Sequence, residues 1–253
     1  MNDVEMLKSN GINVEKSLEV LGDMDMYNET MDDFLGDINN KVNLLNTYKG
    51  NGDMANYAIY AHSLKSDARY LGFEKLAELS LNHEMAGKGN DSAYVSAHFE
   101  ELIREADRIV TICKNYRGTN TQTSAVSQTT SDKKTILISD DSSIIQNIIG
   151  KMIGEEYNVV YANDGGEAIK IIDSNQSLIG MFLDLNMPNI DGFEVLKHLN
   201  NNNMFLKVPV AIITGDDSKE TIMKAFDYPI LDVLAKPFNE TDVQRIISSM
   251  NNK

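Results

Sequence analysis

Apolar and polar positions follow two different rhythms along this chain, and the change falls near its middle. In the first half apolar residues recur at spacings of three and four, over Val14–Leu21, Met24–Lys49, Met54–Leu71, Phe73–Ala86 and Ser92–Tyr116. That spacing predicts helices. Gly22-Asp23, Gly50-Asn51-Gly52, Gly72 and Gly87-Lys88-Gly89-Asn90 interrupt them, and Asp53 and Asp91 stand where N-caps are wanted. Residues 1–117 therefore read as an antiparallel four-helix-bundle domain. In the second half the rhythm is one of short, β-branched apolar runs, Thr135–Ser139, Leu178–Leu183, Val208–Ile213 and Ile230–Ala235, separated by helix-length amphipathic stretches. Such runs read as buried strands of a parallel sheet, which makes 134–253 an α/β domain. Between the two, 118–133 holds 11 Thr, Ser, Asn or Gln among 16 residues without periodicity, the composition of a flexible linker.

Charge narrows the field. The formal net charge is −15, split as −8 over 1–118, +1 over 119–134 and −8 over 135–253. Two acidic domains without a basic patch argue against direct nucleic-acid binding, which needs Lys and Arg to displace counterions. No apolar run approaches the roughly 20 residues of a membrane span, so membrane insertion is not expected. The lone cysteine, Cys113, leaves no intrachain disulfide framework and fits the cytoplasm.

Each predicted strand ends on a residue that phosphoryl chemistry uses. The first runs into Asp140-Asp141, the second into Asp184, the third into Thr214 and the fourth into Lys236. In open parallel sheets the functional crevice lies at the carboxyl ends of the strands, so these side chains are expected to converge. Mg²⁺ wants hard oxygen ligands, and Asp140, Asp141 and Asp184 can supply carboxylates. Asp184 opens a turn-rich loop, Leu185 to Gly192, that makes it the candidate nucleophile. Thr214 and Lys236 can meet the phosphoryl oxygens with a hydrogen bond and a positive charge. A haloacid-dehalogenase-type phosphatase would use similar groups. It needs a second acid two residues after the nucleophile, where this chain has Asn186, and its remaining acid pair follows the lysine.

The stretches Ile136 to Ser142, Asp164 to Ala168, Leu183 to Pro188, Asp191-Gly192, Ile213 to Gly215 and Ala235 to Phe238 resemble the receiver domain of two-component signalling proteins. The resemblance implies a flavodoxin-like, doubly wound, five-stranded parallel sheet. It also implies phosphorylation of Asp184, Mg²⁺ held by Asp140, Asp141, Asp184 and the Asn186 backbone carbonyl, and phosphoryl contacts from Thr214 and Lys236. Three residues before the lysine the family usually carries an aromatic that moves with phosphorylation. Here it is Val233, so that readout is not expected.

In the first half, the Met54–Leu71 stretch carries Tyr57, Ala61, Leu64, Ala68 and Leu71 on one stripe. His62, Lys65, Ser66 and Arg69 fall on the other side, so His62 is expected to point outward beside two cations. Ala61 to Gly72 resembles the active helix of histidine-containing phosphotransfer domains, with Ser66 at their usual glycine. The resemblance implies a phospho-accepting His62 supported by Lys65 and Arg69. His83, His98 and His198 show no metal-ligand spacing and read as packing or surface residues. No nucleotide-binding motif is found, so the chain is expected to be a phosphotransfer signalling protein and not an ATP-dependent kinase. The expected partners are a sensor or hybrid histidine kinase and a separate response regulator. The alternative is a phosphorylation-controlled adaptor in which His62 is vestigial.

Overall fold

The computed structural model describes residues 4–118, 133–174, 177–215 and 219–251. The chain divides into two compact units, Met1–Val126 and Ser127–Lys253. Apart from its end residues, the linker expected at 118–133 lies outside the described residues.

The N-terminal unit is helical throughout: α1 (Val4–Ser9), α2 (Val14–Leu21), α3 (Met24–Asn51), α4 (Met54–Tyr70), α5 (Glu74–Lys88) and α6 (Ser92–Arg117). The side chains of Asn13, Asp23, Asp53 and Asp91 each accept from the backbone N–H three residues on, filling donors that a helix start leaves open. Gly52, left-handed at φ 71°, closes α3. Helices α3 to α6 form a bundle in which α4 packs on α3 and α5, and α6 closes the ring on both. Its core is built from Tyr27, Met31, Phe34, Tyr57, Leu64 and Leu102, all buried. The pairing of α4 with α5 is the closest, because Gly87 lets the backbones approach. A Cβ there would stand 2.9 Å from that of Ala58. The short α1 is an addition to the helices the sequence pattern predicts.

The C-terminal unit alternates strands and helices: β1 (Thr135–Ser139), α7 (Ser143–Ile153), β2 (Asn158–Ala162), α8 (Gly165–Ser174), β3 (Leu178–Asp184), α9 (Gly192–Asn201), β4 (Val210–Thr214), α10 (Lys219–Ala225), β5 (Asp232–Ala235) and α11 (Glu240–Asn251). All strand pairs are parallel, in the order β2-β1-β3-β4-β5. This is a doubly wound sheet whose order reverses between β1 and β3, where a crevice opens. Strands β1 and β4 are buried along their whole length, which is why they read as unbroken apolar runs. Edge strand β2 is only half-buried over its first four residues and carries Asn158 and Tyr161, so it does not stand out as a run. Among the described residues no helix is long and apolar enough to cross a membrane.

Gly192 begins α9 directly beneath the end of β3, where an added Cβ would lie 2.3 Å from the Asp184 carbonyl oxygen. Gly192→Ala is therefore expected to destabilise this unit by about 2–4 kcal/mol, read as an earlier urea unfolding transition.

Candidate functional site

Strand ends bring the predicted residues together. Asp140 follows β1, and its backbone N–H donates to Ala162 at the end of β2, 3.1 Å away. Asp140 Oδ1 accepts from the Ser142 N–H (2.9 Å), which fixes the carboxylate at the start of α7. Asp184 is the last residue of β3, and its Oδ1 accepts from the Asn186 N–H at 3.1 Å. Lys236 lies just past β5, held by its N–H to the Thr214 carbonyl at 2.7 Å. Its ammonium donates to Asp184 Oδ2 (2.6 Å) and makes an ion contact with Asp140 Oδ2 (2.7 Å). Asp140, Asp184, Thr214 and Lys236 are all buried.

Electrostatics follows from that burial. Loss of water raises Asp140's carboxyl, Lys236 pulls it down and Asp184 repels its charge, leaving it pushed up to about 7. Burial alone would lower Lys236, but the two carboxylates outweigh it and hold the ammonium well above the ordinary lysine range. Asp140, Asp141 and Asp184 each offer an oxygen within 4.8 Å of the others. Three hard oxygen donors facing one lysine fit a divalent cation such as Mg²⁺. The side-chain amide nitrogen of Asn186 has no hydrogen-bond partner among the described residues.

Two bracing groups were not anticipated. Gln146, buried on α7, donates to the carbonyls of Asp140 (2.7 Å) and Ala162 (3.0 Å) and so ties the ends of β1 and β2. Asn189, at φ 63°, donates to Asp164 Oδ2 (2.9 Å) and ties the loop after Asp184 to the loop after β2. A glutamine among isoleucines on α7 was the available signal for the first.

Residues 136–248 match the response regulator receiver domain family. The C-terminal unit is a receiver domain. It is 27% identical over 114 residues to the two-component response regulator ORR11 of Oryza sativa subsp. japonica, covering 45% of this chain and 78% of that protein. It is 30% identical over 107 residues to the CAI-1 autoinducer sensor kinase/phosphatase CqsS of Vibrio cholerae serotype O1, covering 42% of this chain but only 16% of the relative. Among solved structures, the receiver domain of Francisella response regulator 1452 is 28% identical, covering 47% of this chain and 98% of that one, with a TM-score of 0.43. Asp140, Asp141, Asp184 and Lys236 stand together at the strand ends, with Thr214 closing β4 beside Lys236. Val233, on β5, is partly buried against the core beside β4.

The N-terminal unit corrects the expected orientation of His62. The residue does not point outward; it is 1% exposed, and Lys65 and Ser66 are buried with it, while Arg69 is half-buried. The wheel assigned this side of α4 to solvent, but the close pairing with α5 turns it toward Glu84. His62 Nδ1 lies 2.8 Å from Glu84 Oε1, and Lys65 Nζ donates to Glu84 Oε2 at 2.6 Å. A carboxylate can only accept, so Nδ1 carries a proton toward Glu84, with Lys65 Nζ 3.2 Å from the same nitrogen; in the neutral ring Nε2 then keeps the lone pair. Glu84 is the functional candidate that the sequence reading missed. Its signal was an acid on the Leu76, Ser80, Gly87 stripe of α5. The other histidines pack as expected: His83 meets the Tyr57 hydroxyl at 2.6 Å, His98 stacks on Tyr94, and His198 meets Asp173 at 2.9 Å.

Burial would raise the Glu84 carboxyl, yet hydrogen bonds from His62 and Lys65 hold it well below the usual carboxylate range. For Lys65 burial prevails over Glu84 and lowers the ammonium. The pair is unequal because Glu84 collects several donors while Lys65 has its one carboxylate.

Metal binding needs Asp140 ionised, so Mg²⁺ affinity is expected to weaken as pH falls through about 7, by about tenfold per pH unit below it for one competing proton; calorimetric titration at several pH values measures this. Glu84→Gln leaves the Lys65 ammonium buried without its counter-charge and is expected to cost about 3 kcal/mol. The folded carboxyl of Glu84 lies below its ordinary value of 4.5, so its contribution is complete above that pH and lost as pH falls. The stability gap between wild type and Gln variant in urea unfolding should therefore narrow in acid.

Proposed function

We propose that this chain is a phosphorelay intermediate that passes a phosphoryl group between His62 and an aspartate, either Asp184 or the acceptor of a partner's receiver. The observation that carries the receiver half of this reading is Lys236 set between Asp184 and Asp140 at the end of the sheet. An Asp184 oxygen attacks the donor's phosphorus, the bond to the leaving group breaks, and the leaving group departs with the electron pair. Lys236 is already in place to meet the phosphoryl oxygens, and Thr214 offers a hydroxyl from the neighbouring strand end. Asp140, Asp141 and Asp184, with the Asn186 carbonyl, would hold Mg²⁺, which when bound neutralises negative charge on the phosphoryl group. In the N-terminal unit, Glu84 orients the ring so that Nε2 is the nucleophilic nitrogen. This unit is read as a histidine-containing phosphotransfer domain, with Lys65 and Arg69 as phosphoryl supports.

The partners in this reading are a sensor or hybrid histidine kinase and a separate response regulator, all acting in the cytoplasm. A receiver segment also occurs in the sensor kinase/phosphatase CqsS, which is consistent with traffic between such proteins. The chain is then a phosphotransfer protein whose receiver promotes its own phosphorylation and dephosphorylation. One observation favours a second reading. With His62 only 1% exposed, transfer to Nε2 requires its surroundings to open, whereas an adaptor that signals through Asp184 alone has no such requirement.

Acetyl phosphate with Mg²⁺ is expected to label Asp184, and both Asp184→Asn and EDTA should abolish that label. Undiminished labelling of the receiver in the Asn variant would reassign the acceptor. Incubation with a phosphorylated donor receiver, followed by separation of acid-labile from base-labile phosphate, decides between relay and adaptor: acid-labile label on His62 supports the relay, and its absence supports the adaptor.

A further inference from the structure

Helix α4 is held by buried charge on two sides. Toward α5, Lys65 and the His62 ring meet Glu84. Toward α3, Lys41 donates from Nζ to Asp67 Oδ2 and makes an ion contact with Asp37 Oδ2 at 3.2 Å. The side chains of Lys41 and Asp67 are 3% and 1% exposed, whereas that of Asp37 is partly open to water. Lys65 and Asp67 stand two positions apart, and at about 100° per residue they project from nearly opposite sides of the helix. Tyr57, Leu64 and Tyr70 seat α4 in the core, but Ala58, Ala61, Ser63, Ser66 and Ala68 make up much of its remaining buried surface. Such small side chains form shallow ridges, which interlock weakly with a neighbouring helix and tolerate a small turn about the axis. A buried ion pair does not, because parting its members strands charge away from water.

Resting on the reading of His62 as a phosphoryl site, we propose that Lys41 and Asp67 are positioning residues for that site: their ion pair fixes the rotation of α4 that aims Nδ1 at Glu84. Side-chain atoms at the helix surface lie about 5–6 Å from its axis, so a turn of about 20° carries them about 2 Å. That displacement is enough to break the 2.8 Å contact between His62 Nδ1 and Glu84 Oε1. Without the carboxylate to accept from Nδ1, the neutral ring can carry its proton on Nε2 instead. An Nε2 that bears the proton has no lone pair with which to attack phosphorus. The pair thus acts on the ring through the helix, from five residues along it. Glu84 selects the tautomer, and Lys41 and Asp67 hold the helix that brings the ring to Glu84.

The test uses the full chain carrying Asp184→Asn as the parent. Adding Lys41→Met with Asp67→Leu replaces the pair by apolar side chains, a change expected to leave the urea midpoint level or to raise it. Nitrogen NMR of the His62 ring reads where the proton sits. The parent is expected to show a protonated Nδ1 and a lone pair on Nε2, and the double variant a mixture of the two tautomers. With phosphoramidate, the Nε2 lone pair forms the N–P bond as the donor's P–N bond breaks and ammonia leaves with the electron pair. That rate, followed by phosphorus NMR, should fall about tenfold in the double variant, the scale of one charge-assisted hydrogen bond. Lys41→Arg keeps the charge and should retain the parent's ring signals and rate, while Asp67→Asn, gentler on folding, should move the ring signals as the double variant does. Unmoved ring signals in a folded double variant, or in Asp67→Asn should the double variant not fold, overturn the positioning role. An equal loss in Lys41→Arg overturns it too, since volume and not charge would then be at work. A parent that gains no phosphohistidine overturns the reading of His62 itself, and the ring signals still decide whether the pair orients the imidazole.

Discussion

A parallel sheet that reverses its strand order forces the ends of its central strands into one crevice, and here that crevice is filled with like charge. Asp140 and Asp184 stand side by side, both fully buried, and Asp141 completes the group. Like carboxylates in a medium of low dielectric repel strongly, and one of them holds its proton unless a cation intervenes. Lys236 is that cation. Its ammonium bridges both buried acids, and its backbone is fixed to Thr214 on the neighbouring strand. The geometry of the receiver crevice therefore depends on a single lysine from the fifth strand. The carboxylate charge it leaves unmatched is of the kind that a divalent cation would offset.

The loops around this crevice are braced by side-chain amides. Gln146 joins the ends of β1 and β2, and Asn189 joins the loops after β2 and β3. Gln146, a neutral donor to two backbone carbonyls, holds the strand ends without competing for the carboxylates of the site. Gly192 and Gly165 complete the frame by letting backbone pass within a few ångströms of the Asp184 and Ile190 carbonyl oxygens.

The helical unit inverts the arrangement. One buried carboxylate, Glu84, gathers an imidazole and two lysines, where the receiver has one lysine among three acids. In both places a buried charge survives because opposite charges reach it at hydrogen-bond distance. The balance differs in sign: three carboxylates meet one lysine in the receiver crevice, whereas one carboxylate meets two lysines and an imidazole in the helical unit.

Much of this was legible in the chain itself. Buried parallel strands must be continuous apolar runs, and the residues that end such runs lie at one edge of the sheet, so the chain alone points Asp140, Asp141, Asp184, Thr214 and Lys236 to one site. Helix limits were legible for a similar local reason: Asp53 and Asp91 satisfy helix starts through contacts three residues away. Strand β2 was harder to see, because an edge strand that is half-buried carries no unbroken apolar signal. The surroundings of His62 were not legible at all. A wheel reports one helix's own stripes, whereas α4 is buried on most of its surface and its polar side faces a second helix. Only the packing of α5, permitted by Gly87 against Ala58, brings Glu84 to the imidazole. Local chemistry along the chain determined the elements and their strand-end residues, while contacts between residues about twenty positions apart, set by how two helices pair, decided the state of the histidine.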